Sequence, residues 1–284
     1  MNAFAGIEER YAQFENAQIL LQPLTYDGTS TWGKGADKGF AAFMEAAANM
    51  ELYDIETDSE VYRRGIHTLA SLDESGSAEE VCAAIRGRAR EMIASGKFPT
   101  FFGGEHSVSI GIIQAFAEKY PDLTVLQLDA HADLRPDYEG SACNHACAVH
   151  WAARNCNLIQ VGIRSMDSAE KDFMQTEKTF LAHEISSGDA DWMERSIALM
   201  GAQVYLTIDL DVFDPAIMPA TGTPEPGGLD WNTVTRYLRK LCAERRLLGF
   251  DIVELAPIEG LRAPDFLAAK LYYKLLSYRF SHEG

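Results

Sequence analysis

Seven short apolar runs, each followed by a stretch of helical periodicity, narrow the folds open to this chain more than any other feature. In order they are "AQILLQPL" then 36–50, "ELYDIE" then 78–95, "FPTFFGG" then 107–119, and "LTVLQLDA" then 145–154. The series continues with "NLIQVGI" then 169–175, "AQVYLTIDL" then 230–243, and "LLGFDIVEL" then 265–280. Strands that alternate with helices form parallel sheets, because a parallel return needs a crossover long enough to hold a helix, and the helices then cover both faces. The expected fold class is α/β, a three-layer α/β/α arrangement around a mainly parallel sheet. No repeat, low-complexity tract or linker breaks the pattern, so residues 1–284 are expected to form one domain, a length at which α/β chains often stay undivided.

Composition excludes several partners. With 25 Lys+Arg against 42 Asp+Glu the net charge is −17, which argues against a nucleic-acid footprint and against binding to anionic membranes. Cys82, Cys143, Cys147, Cys156 and Cys242 are odd in number and lack a CxxC pair, so reduced thiols are expected rather than a disulfide framework or a structural zinc knuckle. No basic-then-apolar leader opens the sequence and no run approaches the ~18 apolar residues of a membrane span. A cytoplasmic location is the expectation.

In open α/β sheets ligands bind beyond the carboxyl ends of the strands. "TVLQLDAHADLR" ends a core strand with Asp129, His131 and Asp133 in alternation, and alternate residues of extended chain share a face. "FPTFFGGEHSVS" turns at Gly103-Gly104 and delivers His106; "VYLTIDLDVFDP" ends in Asp209 and Asp211; "LLGFDIVELAP" carries Asp251 and Glu254. A single strand-end Asp is usually a cap or turn former, as expected of Asp122 and Asp214 beside prolines. Four acids crowded at one water-poor edge would instead repel and raise one another's pKa. Carboxylates with two imidazoles and no nearby Cys pair suit a pair of borderline-hard divalent ions.

"GGEHSVS", "DAHADLR", "TIDLDVFDPAIMPATGTPEPGGL" and "DIVELAP", with the N-terminal "YDGTSTWGKGADKG", resemble the arginase/agmatinase (ureohydrolase) family, most of all its bacterial and archaeal agmatinases. The resemblance spans most of the chain in order. It implies an arginase-like fold, two manganese ions, a homo-oligomer (trimer or hexamer) and a small cationic guanidino substrate. Carried onto this sequence, His106, Asp129, Asp133 and Asp209 would hold one manganese, and His131, Asp129, Asp209 and Asp211 the other. Asp133 would relay a proton to the leaving amine, His145 would exchange protons with solvent, and Glu254 would fix the guanidinium plane.

The implied reaction is hydrolysis of agmatine to putrescine and urea. Guanidinobutyrase or arginase activity is the alternative, a silent metal-binding module a weaker one. A one-zinc amide hydrolase resembling histone deacetylases would need an adjacent His-His pair, which the chain lacks. Substrate choice is expected to follow the loop "LRPDYEGSACNHA", whose Asp137 and Glu139 suit an ammonium end, with Arg135 pairing with an acid rather than receiving a carboxylate. Trp32 and Trp231 are expected to cap the cleft or to fill core, and Cys143 and Cys147 to act as small buried hydrophobes.

Overall fold

In the computed structural model, which describes residues 3–281, eight strands form one sheet. They are β1 (Ile19–Pro23), β2 (Ile66–Thr68), β3 (Phe98–Phe102), β4 (Thr124–Leu128), β5 (Asn157–Ile163), β6 (Thr179–Leu181), β7 (Gln203–Asp209) and β8 (Arg246–Val253). Their order is β2-β1-β3-β8-β7-β4-β5-β6, and every neighbouring pair is parallel. The helices are α1 (Glu9–Ala12), α2 (Gly39–Ala47), α3 (Ala78–Ala94), α4 (Val108–Lys119), α5 (His150–Asn155), α6 (Ala182–Ser186), α7 (Trp192–Ala198), α8 (Trp231–Glu244) and α9 (Ala263–Phe280).

Successive strand residues point to opposite faces, and the core divides accordingly. Leu21, Leu126 and Leu206 pack with α2, α7, α8 and α9, whereas Leu20, Val125 and Tyr205 pack with α3, α4 and α5. The sheet is therefore the middle of three layers, buried on both faces, which is why its strands read as nearly unbroken apolar runs. The exit from β3 requires glycine: Gly103 has φ +97°, and a Cβ there would stand 2.4 Å from the Leu24 carbonyl oxygen.

Four expectations about elements change. "ELYDIE" is not a strand; Asp54 accepts the backbone N–H groups of Glu56 and Thr57 at 3.0 and 2.9 Å, closing a turn that bridges to Ser59. The sheet's edges are instead β2 and β6, each too short to show a period of two. The 169–175 segment tightens to a 3₁₀ turn at Ser168–Asp172, and 145–154 splits into a 3₁₀ turn at His145–Cys147 and α5. No helix among the described residues is long and apolar enough to cross a membrane.

Candidate metal centre

A cavity of about 290 Å³ lies at the carboxyl ends of the strands, lined among others by His106, His131, Asp133, His145, Asp209 and Glu254. His106 follows β3, the Asp129–Asp133 stretch follows β4, Asp209 closes β7 with Asp211 in the next turn, and Glu254 follows β8. These are the four central strands of the sheet, so side chains far apart in sequence meet over its middle.

The imidazole of His106 shows what the site is built to hold. Its Nδ1 lies 3.0 Å from Asp129 Oδ2, 3.0 Å from Asp133 Oδ2 and 3.4 Å from Asp209 Oδ2, yet makes no hydrogen bond of acceptable geometry. The other nitrogen, Nε2, stands 2.9 Å from Thr207 Oγ1, and that hydroxyl donates to Asp251 Oδ1 at 2.6 Å. With its one proton given to Asp251, Thr207 can only accept, so Nε2 carries the hydrogen, and the neutral ring turns its Nδ1 lone pair toward three carboxylates. Although burial opposes a second proton, those carboxylates raise the imidazole's pKa well above its ordinary value. Lone pairs and carboxylates facing one another repel unless a cation lies between them. The donor set therefore fits a divalent ion held by nitrogen and oxygen.

A second group adjoins the first. His131 Nδ1 lies 2.8 Å from Asp211 Oδ2 and 3.7 Å from Asp129 Oδ1. The potential ligand atoms of His106, Asp129 and Asp209, and separately those of Asp129, His131 and Asp211, converge within 4.8 Å, with Asp129 common to both sets. Asp129 is held from behind: Gln127 Nε2 donates to Oδ2 at 2.7 Å and the His131 N–H to Oδ1 at 2.6 Å. Gln127 is itself anchored by Gln160 Nε2 at 2.7 Å. Asp211 Oδ1 accepts the Ala130 N–H at 2.9 Å, and Asp209 Oδ1 the Asp211 N–H at 2.8 Å.

Electrostatics agree with that demand for positive charge. Burial, followed by the charges of Asp211 and Asp133, pushes Asp129 up to about 7. Burial, followed by the charges of Asp211 and Asp129, raises Asp209 well above the carboxylate range. Burial opposes protonation of His131, but the Asp211 carboxylate beside it outweighs that and lifts the imidazole to about 11. For Asp211 burial is likewise overcome, here by His131, and its pKa falls to about 2.

Asp133 and Glu254 both adopt left-handed backbone conformations, φ +52° and +66°. Such residues cost about 1–3 kcal/mol each and gather where geometry matters more than stability. Glu254 Oε1 accepts the His106 N–H at 2.8 Å, and burial with the nearby Glu105 charge raises its pKa well above the usual range. His145 lines the cleft with Nδ1 3.2 Å from Thr29 Oγ1.

The far wall differs from expectation. Asp137 and Glu139 are exposed and not among the cleft-lining residues, because a tight turn bridging Tyr138 to Ser141 puts residue 139 at its tip. Besides Asp133, Asp209 and Glu254, the acids that line the cleft are Asp167 and Glu170, in the segment after β5. Arg135 lies 3.6 Å from Asp167 Oδ2 and 3.9 Å from Glu170 Oε2, its guanidinium 4.4 Å over the Tyr138 ring. It thus both lines the cleft and pairs with acids. Trp231 stacks on Phe213 against the core, while Trp32 stands 84% exposed beside the cleft-lining Thr31. Cys147 is buried as expected; Cys143 is only half-buried.

Sequence reasoning missed the supports. Thr207, Gln127 and Gln160 sit inside apolar strands and read as filler; for Thr207 and Gln127 the available signal was a buried-strand polar residue two places before a candidate ligand. Arg164 was also passed over. Its guanidinium donates to the carbonyls of Asp211 at 2.6 Å and Glu225 at 2.8 Å, tying the Asp211 turn to the proline-rich loop.

The chain matches the Arginase family over residues 17–277. The N(1)-aminopropylagmatine ureohydrolase of Synechocystis sp. is 34% identical to it, over 95% of this chain and 92% of that protein. The agmatinase of Bacillus subtilis is 30% identical, over 87% of this chain and 86% of that protein. Among solved structures, the agmatine ureohydrolase of Thermoplasma volcanium superposes with a TM-score of 0.87 at 27% identity, covering 98% of this chain and 96% of that one.

Proposed function

The chain belongs to the arginase family, and from that premise we propose that it hydrolyses a guanidino amine of the agmatine type to urea and the corresponding amine. The observation that carries this is two converging ligand groups sharing Asp129, beside Glu254, in a cleft whose far wall bears Asp167. We assign two divalent cations, manganese in our reading, to His106, Asp129, Asp133 and Asp209 and to His131, Asp129, Asp209 and Asp211. When bound, that pair supplies the Lewis acidity that activates water at neutral pH.

The chain's own groups do the rest. A guanidinium is planar and delocalised, so its carbon must be presented face-on; the Glu254 carboxylate pairs with its N–H groups and fixes that plane. Attack makes the carbon tetrahedral, and the C–N bond breaks once the departing nitrogen gains a proton. Asp133, on the cleft floor, takes a proton from the attacking water and gives it to that nitrogen. His145 exchanges protons between cleft and solvent.

The distal wall argues for a cationic tail. Two carboxylates, Asp167 and Glu170, face one guanidinium, Arg135, leaving one negative charge in excess. Both Glu170 oxygens are engaged by backbone N–H groups, Oε1 by Leu134 at 2.7 Å and Oε2 by Asp167 at 2.6 Å, whereas Asp167 gives Oδ1 to the Ala169 N–H at 2.9 Å and keeps Oδ2, so the half-exposed Asp167 receives the ammonium. Agmatine, which carries one guanidinium and one ammonium, is our first reading. N(1)-aminopropylagmatine is a second reading, favoured by relatives of that name at 34% and 32% identity.

The test is kcat/KM for urea release by manganese-loaded protein from agmatine, N(1)-aminopropylagmatine, arginine and 4-guanidinobutyrate. An unpaired buried carboxylate costs several kcal/mol, so the two cationic amines should exceed the two acids by at least about 100-fold. The ranking within the first pair chooses between the two readings. Preference for arginine or 4-guanidinobutyrate contradicts both.

A further inference from the structure

Behind His145 lies a buried carboxylate that the mechanism above does not use. Glu105, fully buried beside the start of α4, receives four hydrogen bonds. Its Oε1 accepts from Thr29 Oγ1 at 2.8 Å, the Thr29 N–H at 3.2 Å and Ser107 Oγ at 2.7 Å, and its Oε2 accepts the Ser107 N–H at 2.7 Å. A carboxylate accepting in this way uses the single proton of the Thr29 hydroxyl. That hydroxyl oxygen in turn accepts the His145 backbone N–H at 3.0 Å and meets His145 Nδ1 at 3.2 Å.

The directions of these bonds leave one arrangement. With its proton committed to Glu105, Thr29 can only accept, so Nδ1 of His145 must carry a hydrogen. Neutral His145 is then the Nδ1–H tautomer, the less favoured one for histidine in water, and its Nε2 holds a free lone pair. Nε2 has no hydrogen-bond partner among the described residues, and the ring lines the cleft, with the edge of Tyr138 at 6.0 Å between centroids.

We propose that Thr29, oriented by Glu105, is a positioning residue for catalysis: it holds His145 in the Nδ1–H tautomer so that Nε2 is the nitrogen that exchanges protons. The proposal rests on the assignment of His145 as the proton-exchanging group. Its consequence is that the nitrogen facing the cleft is always ready to take a proton from solvent and pass it inward, without a ring flip or a tautomer change in each turnover. If the contact merely anchored the Thr29 loop, removing the hydroxyl would change stability and leave the tautomer and kcat alone.

Two measurements on the full chain test it. Correlation of ring carbon-bound protons with both nitrogens in the ¹⁵N-histidine-labelled, metal-free protein, at about pH 9 and so above the ordinary histidine range, reports the tautomer directly, with His145 assigned by its loss in His145→Asn. The wild type and Thr29→Ser should show protonated Nδ1 and bare Nε2; Thr29→Val should shift toward Nε2–H. In manganese-loaded protein Thr29→Val should lower kcat for urea release roughly tenfold, with KM changed by less than about twofold and manganese content retained, and Thr29→Ser should restore kcat. An Nε2–H wild type overturns the proposal even if Thr29→Val does not fold, as does a folded Thr29→Val with wild-type tautomer and kcat. An unchanged kcat in His145→Asn instead removes the catalytic assignment of His145, while the spectrum still decides the tautomer.

Discussion

Replacing Thr207 with valine deletes one hydroxyl, keeps the side chain's shape, and separates the metal-facing histidine from its support. In the native protein the hydroxyl accepts from His106 Nε2 at 2.9 Å and donates to Asp251 Oδ1 at 2.6 Å. Asp251 keeps Ser109 at 3.1 Å and the Tyr205 hydroxyl, so its loss is partial, whereas the buried Nε2–H loses its only partner among the described residues. An unsatisfied buried polar group costs about 1–3 kcal/mol, and the weakened carboxylate adds to this, so Thr207→Val should destabilise the metal-free protein by about 2–4 kcal/mol. His106 can recover part of that cost by moving its hydrogen to Nδ1 and donating to Asp129 or Asp133. That movement blocks the lone pair, so manganese affinity should fall about 10–100-fold, the usual penalty for losing an orienting partner of a ligand histidine. Urea unfolding of chelated protein and calorimetric titration with manganese measure the two effects. A variant within about 0.5 kcal/mol of wild type that binds manganese equally well would refute the orientation argument.

Other expectations follow from the same geometry. Asp129→Ala should release both equivalents of manganese as well as abolish turnover, since Asp129 is common to both ligand groups; elemental analysis finding two retained ions would break the ligand assignment. Asp167→Asn should cut kcat/KM for agmatine roughly tenfold and narrow its advantage over 4-guanidinobutyrate, which a steady-state comparison checks. For pH, Asp129 moves from the ordinary carboxylate value to about 7 on folding and Asp209 and Glu254 move the same way. A raised acid binds protons more tightly in the native state, so its stabilisation is complete below the unfolded pKa and lost as pH rises through the folded one. The melting temperature of chelated protein should therefore fall between about pH 4 and 8. A flat or rising profile across that window contradicts the assigned directions.

The parts legible in the sequence were those with a strong period or a repeated position. Six of the seven expected strands exist because both faces of each are covered, which makes a sustained apolar run. "ELYDIE" imitates it for six residues, but Asp54 supplies its own turn by capping two backbone N–H groups, a local bond that periodicity ignores. The six candidate ligands stand out because each is charged or imidazole-bearing at a strand end, and five of them, all but Asp133, fall in the two converging groups. Asp137 and Glu139 misled because being near a motif in sequence says nothing about which side of a tight turn faces the cleft; Asp167 and Glu170, thirty residues further on, reach it from the neighbouring strand. Thr29 and Glu105 were quoted within motifs, but their link to His145 depends on hydrogen-bond direction, which only coordinates supply.

The most direct test of two-cation ureohydrolase chemistry is to titrate metal-stripped protein with manganese and measure urea released from agmatine at each step. Activity should be absent at the start, rise to a plateau at two equivalents per chain, and yield urea and putrescine in equal amounts. A plateau at one equivalent, or metal uptake with no urea from any guanidino amine, would contradict it.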